Sequence, residues 1–126
     1  MRQRDTILIV DDMEINRVIL DGLFQEEYHL LEAENGEQAL LLLRQYHENI
    51  AIMLLDVVMP VMDGYTATRK IRSLEHSDAK TIPIIAMTAN AFQEDAEKCI
   101  AVGMNAHLAK PLDIEKMKTI ICEQTK

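Results

Sequence analysis

Five short apolar runs punctuate the chain, at Thr6 to Val10, His29 to Ala33, Ile50 to Leu55, Ile82 to Met87 and Ala106 to Ala109. Each is followed by a longer segment of helical periodicity, so the pattern reads as βα repeated five times. Ile50 to Leu55 and Ile82 to Met87 are almost unbroken in apolar residues, as strands covered on both faces are, whereas alternation marks a half-exposed sheet. The strands are therefore predicted to be parallel. Asp11 and Asp12 are placed to cap a first helix reaching about Glu26, with Ile15, Val18, Ile19 and Leu23 on its inner side. Asn35-Gly36 opens a second helix, through Ala39 to Leu43 to about His47. Gly64 to Leu74 is a third, and Asn90 or a neighbour starts a fourth that Gly103 ends. Asp113 caps a fifth whose Ile114, Met117, Ile120 and Ile121 form one stripe. Pro83 falls where a strand begins and costs no central ladder bond.

Five alternating units in 126 residues predict one α/β domain spanning residues 1–126, a three-layer sandwich with right-handed crossovers. Ligands of such folds bind beyond the carboxyl ends of the strands. The net charge of −8 disfavours nucleic acid and acidic membrane surfaces as partners, because phosphates are bound by neutralising them with Lys and Arg. No apolar run is long enough to span a bilayer, and Met-Arg-Gln-Arg-Asp-Thr lacks the apolar core of a signal peptide, so a soluble cytoplasmic protein is expected. Cys99 and Cys122 lack CxxC spacing and sit in helical apolar patterns, which reads as two buried thiols. Charge is divided unevenly. Residues 1–63 carry four basic against thirteen acidic side chains, and residues 64–126 nine against eight.

That acidity gathers where strands end. Asp11 and Asp12 follow the first strand, Asp56 ends the third, Thr88 the fourth, and Lys110-Pro111 the fifth. Asp56 is the only charge between Ile50 and Met62, and an uncompensated carboxylate there would carry a desolvation cost of several kcal/mol. Lys110 could pair with it, but Asp11 and Asp12 add two more negative charges, which cannot all stay ionised at short range without a cation. Mg²⁺, a hard ion held by one or two carboxylates together with phosphate oxygens, resolves the conflict. Asp56 then becomes a nucleophile toward phosphorus, with the metal, Lys110 and the Thr88 hydroxyl neutralising the phosphoryl oxygens. Taken singly, an Asp-Asp pair is more often a helix cap, Thr88 a turn residue, Lys-Pro a solvated loop and Asp56 half of a structural ion pair. The set, each member at the end of a different strand, has no common structural explanation.

With those residues in view, the sequence resembles a receiver domain of the two-component response regulators. The resemblance rests on Ile-Leu-Ile-Val-Asp-Asp (7 to 12), Leu-Leu-Asp-Val-Val-Met-Pro-Val-Met-Asp-Gly (54 to 64), Ile-Ile-Ala-Met-Thr-Ala-Asn-Ala (84 to 91) and Ala-Lys-Pro (109 to 111), and covers essentially the whole chain. It implies a flavodoxin-like sheet of strand order 2-1-3-4-5. It further implies Asp56 as phosphoacceptor from a histidine kinase or phosphotransfer protein, and Asp12 as a direct magnesium ligand with Asp11 acting through water. The Val58 carbonyl becomes a third protein ligand, Thr88 the switch hydroxyl, and Lys110 the phosphoryl partner, followed by a peptide bond to Pro111 that is usually cis in the family.

Two departures from the family matter. His107 replaces the switch aromatic, which implies a weaker switch and a protonatable ring that would respond to pH. Val58 and Asn90 flank the path of attacking water, and apolar Val58 cannot orient it, which implies slow to moderate self-hydrolysis. The implied function is a phosphorylation-controlled switch rather than a turnover enzyme. Its output surface is the fourth helix (Glu94, Asp95, Glu97, Lys98), fifth strand and fifth helix (Glu115, Lys116, Lys118), sensed by an output domain or downstream protein, with a phosphorylation-dependent homodimer a further outcome.

Rival readings fit less well. A flavodoxin-like FMN carrier needs a hydroxyl- and glycine-rich loop after the first strand and aromatic stackers, where this chain has Asp-Asp-Met-Glu and no Trp. A magnesium-dependent phosphatase with an aspartyl intermediate uses Asp-x-Asp after the first strand. A phosphorylation-independent interaction module leaves the complete set of polar strand ends without a role. The N-terminal Met close to the first strand leans toward a chain that begins here.

Overall fold

In a computed structural model, residues 5–57, 64–74, 77–88, 93–109 and 114–124 are described. Five strands, β1 (Thr6–Val10), β2 (His29–Ala33), β3 (Ile50–Asp56), β4 (Ile84–Thr88) and β5 (Ala106–Ala109), form one parallel sheet of order β2-β1-β3-β4-β5. The helices are α1 (Glu14–Phe24), α2 (Gly36–Tyr46), α3 (Gly64–Arg72), α4 (Ser77–Thr81), α5 (Gln93–Val102) and α6 (Ile114–Gln124). The expected order and parallel sense are observed. The short α4 was not anticipated, and α3 stops at Arg72 rather than Leu74.

Alternate strand residues feed two cores, because successive side chains point to opposite faces. Leu8, Val10, Met53, Leu55, Ile84 and Ala86 pack with Leu43 of α2, Ile71 of α3, Ala79 of α4 and Cys99 of α5. Ile7, Ile9, Ile52, Leu54, Ile85 and Met87 pack with Leu20 and Phe24 of α1 and Met117 and Ile121 of α6. The sheet is thus covered on both faces, as the unbroken apolar runs require. Lys98 of α5 also sits 4.3 Å over the Tyr65 ring of α3.

Local chemistry fixes several boundaries. Asn35 caps α2 by accepting from the Gln38 N–H at 2.9 Å, while Gln38 Oε1 accepts from the Glu34 N–H at 2.9 Å. Gly103 ends α5 with φ of 107°, where the Met104 N–H reaches back to the Cys99 carbonyl at 2.9 Å. Asp113, the expected cap of α6, lies outside the described residues.

Three expectations are corrected. Neither aspartate caps α1: its N-cap is Met13, which supplies no side-chain bond. Nor do Ile15, Val18 and Ile19 face inward, since each is more than half exposed. The buried stripe is Arg17, Leu20 and Phe24, with Leu23 packed at its margin. Periodicity located a correct helix but chose the wrong face, because a buried arginine interrupts the true stripe. Last, Cys99 is buried but Cys122 is exposed, and neither forms a disulfide. Among the described residues no helix is long and apolar enough to cross a membrane.

Candidate functional site

Because all five strands run the same way, their carboxyl ends share one edge, and register decides which side chains meet there. Val10 lies opposite Leu55 and Asp56 opposite Met87, so Asp11, Asp56 and Thr88 fall on three adjacent strand ends. Carboxylate oxygens of Asp11, Asp12 and Asp56 lie within 4.8 Å of one another. Asp11, Asp56 and Thr88 are all buried, and Asp12 is exposed. The open side of the cluster is thus the side of Asp12.

The β1–α1 turn holds Asp11 firmly. One carboxylate oxygen accepts from the Met13 N–H at 2.9 Å and the other from Asn16 Nδ2 at 3.2 Å. Its own N–H continues the ladder to the Ala33 carbonyl at 3.1 Å, and its carbonyl accepts from Arg17 Nη1 at 2.8 Å. Asp56 is approached closely by the first residue of α3. A Cβ at position 64 would lie 2.5 Å from the Asp56 carbonyl oxygen and 2.7 Å from the Val57 Cα, so only glycine lets α3 start there. The Gly64 N–H donates to the Val57 carbonyl at 3.1 Å. Gly64→Ala must therefore push the two backbones apart. We expect it to destabilise the fold by about 2–3 kcal/mol and weaken divalent-cation binding together, measured by urea unfolding and by metal titration of the same sample.

The donor set fits a hard divalent cation, since among the described residues every ligand offered is a carboxylate oxygen. Thr88 lies opposite Ala109 on β5, and His107, half-buried, lies opposite Ala86. Lys110, Val58, Asn90 and Pro111 fall outside the described residues, as do the side chains of Glu94 and Asp95; Glu97, Lys98, Glu115, Lys116 and Lys118 are exposed. Arg17, Asn16 and Gly64 were missed from sequence. A basic residue on the predicted first helix, three and seven positions before Leu20 and Phe24, was the available sign of Arg17.

The model of the response regulator receiver domain matches residues 7–122. The chain belongs to that family. This receiver domain is 42% identical over 113 residues to the sensor histidine kinase RcsC of Escherichia coli K12, an alignment covering 89% of the chain and 11% of that kinase. It thus spans about a tenth of the length of that curated relative. Among solved structures, the receiver domain of a Pseudomonas aeruginosa sensor histidine kinase, with a magnesium ion coordinated in its active-site cleft, is 34% identical with a TM-score of 0.83. That similarity covers 96% of this receiver and 97% of the other chain. The receiver domain of Ssk1 from Saccharomyces cerevisiae, co-crystallised with the histidine phosphotransfer protein Ypd1, is 25% identical with a TM-score of 0.85, covering 97% and 89%.

Proposed function

We propose that residues 1–126 act as one receiver unit that accepts a phosphoryl group on Asp56 from a sensor histidine kinase or phosphotransfer protein, as a cytoplasmic signalling switch. The convergence of three carboxylates at one strand edge carries the reading. Asp11, Asp12 and Asp56, joined by the Val58 carbonyl, would hold Mg²⁺, which when bound supplies positive charge against the phosphoryl oxygens. A carboxylate oxygen of Asp56 attacks phosphorus and forms an O–P bond as the bond from phosphorus to the donor imidazole nitrogen breaks. The nitrogen keeps that electron pair. Thr88 donates its hydroxyl proton to a phosphoryl oxygen and the Lys110 ammonium pairs with another, drawing both toward Asp56. Movement at the ends of β4 and β5 reaches α5, β5 and α6, and His107 on β5 follows it, giving an output domain, a downstream protein or a second copy of the chain a changed surface.

The donor's approach is supported by the face that the sequence pattern assigned to the core. Met13, Ile15, Val18 and Ile19 are each more than half exposed, and Gly22 continues the stripe. An apolar stripe beginning beside Asp12 suits an apolar partner helix carrying a phosphohistidine. The double variant Ile15→Asp/Val18→Asp is expected to slow transfer from such a protein by about 30-fold while transfer from a small-molecule phosphodonor persists, measured by radiolabel transfer.

The decisive test of the main reading treats the protein with a small phosphodonor and Mg²⁺ and looks by mass spectrometry for one phosphoryl group on the peptide holding Asp56. Amide NMR with beryllofluoride and Mg²⁺ is the companion measurement. Absence of a magnesium-dependent adduct and of any shift near Asp56 would overturn it.

A further inference from the structure

Arg17 is a buried cation on α1 that phosphoryl acceptance itself does not use. Its Nη1 donates to the Asp11 carbonyl at 2.8 Å, its Nε to Glu32 Oε1 at 3.2 Å, and its Nη2 lies 4.0 Å from Glu34 Oε1. With the Asp11 N–H bonded to the Ala33 carbonyl on β2, the peptide groups before and after the Asp11 Cα are both held. We propose that Arg17 is a positioning residue for the acidic site, fixing the peptide from which the Asp11 and Asp12 side chains are aimed at Asp56 and at a divalent cation. The inference rests on the magnesium reading above.

Charge alone gives the opposite sign. Arg17 is met by Glu32, so the pair is close to neutral toward the three aspartates. Removing the guanidinium leaves Glu32 unpaired and the neighbourhood more negative, which by itself tightens binding of a divalent cation. Positioning predicts weaker binding, because Mg²⁺ demands near-ideal octahedral geometry whereas Ca²⁺ accepts irregular oxygen shells. Lysine keeps the charge but not the planar fork that reaches Asp11 and Glu32 together.

The experiment is Mg²⁺ and Ca²⁺ titration of wild type, Arg17→Met and Arg17→Lys, followed by amide NMR, with spectral dispersion verifying the fold. Both variants are expected to bind Mg²⁺ about tenfold more weakly or worse, the range for losing the partner that orients a metal ligand, and to lose less for Ca²⁺. Wild-type affinity in Arg17→Lys, tighter binding in Arg17→Met, or equal losses for both ions would overturn the proposal. If Arg17→Met fails to fold, Arg17→Lys carries the same comparison. A wild-type protein that shows no magnesium-dependent shift removes the metal reading itself, an outcome distinct from wild-type binding that the variants leave unchanged.

Discussion

Asp56→Asn is expected to yield a protein that accepts no phosphoryl group yet is more stable than wild type in magnesium-free buffer. Both effects have one source. Asp56 is 5% exposed, and its carboxylate lies within 4.8 Å of those of Asp11 and Asp12. Burial and like charge both disfavour three ionised groups in one place. The amide keeps the shape and much of the hydrogen bonding, removes one of the charges, and is expected to raise stability by about 1–2 kcal/mol. The ranking changes with metal. At a hundredfold excess over its dissociation constant a bound ion stabilises the folded chain by about 2.7 kcal/mol, and the amide, a poorer ligand, gains less. Urea unfolding with chelator and with saturating Mg²⁺ should therefore show the two proteins exchange order. Equal stabilities in both buffers would mean that the three carboxylates do not repel.

Arg72→Met should cost far more and touch the site hardly at all. From the end of α3, Arg72 Nε and Nη2 donate to the Gly103 carbonyl at 2.9 and 2.7 Å, and Nη1 donates to the Ala79 and Ile82 carbonyls at 3.1 and 2.7 Å. Nη2 also donates to Asn105 Oδ1 at 2.8 Å, and that oxygen accepts the Ile84 N–H at 3.0 Å. One side chain thereby ties α3 to α4, to the entry of β4 and to the turn between α5 and β5. Burial pulls the guanidinium below its ordinary pKa. Its partners here are oxygen dipoles rather than a carboxylate, so five donor contacts compensate the desolvation. Methionine fills most of the stem volume but takes all five guanidinium contacts away from those oxygens, for an expected loss of about 3–5 kcal/mol. Arg72→Lys should recover only part of it. Because the cluster sits at the amino-terminal ends of β4 and β5, opposite the acidic edge, Mg²⁺ affinity of the folded variant should stay within about twofold of wild type. A loss below 1 kcal/mol in urea would contradict the assigned role.

The exposure of the Ile15, Val18, Ile19 stripe and the burial of Arg17 show where sequence reading fails. A stripe at positions 15, 18, 19 and 23 is periodic whether it faces a core or a partner. Only the location of Glu32 and of the Asp11 carbonyl makes position 17 a favourable place for a buried cation. Gly64 was legible as the start of a helix but not as a contact, because the atoms it must clear belong to Asp56 and Val57, eight and seven positions earlier. Cys122 misled for the same reason as Ile15: apolar patterning marks a helix face without saying which way it turns.

Chain patterning was enough to set out five βα units, a parallel sheet covered on both faces, and the strand ends on which polar side chains would gather. It could do so because strand pleat, helix period and backbone caps act between near neighbours in the chain. Tertiary structure alone decided which stripe of α1 is buried, that Asp11 is held from two sides while Asp12 remains exposed, and that Arg72 joins four elements. Those outcomes depend on distances between residues far apart in sequence, set only when the sheet is assembled and its faces are filled.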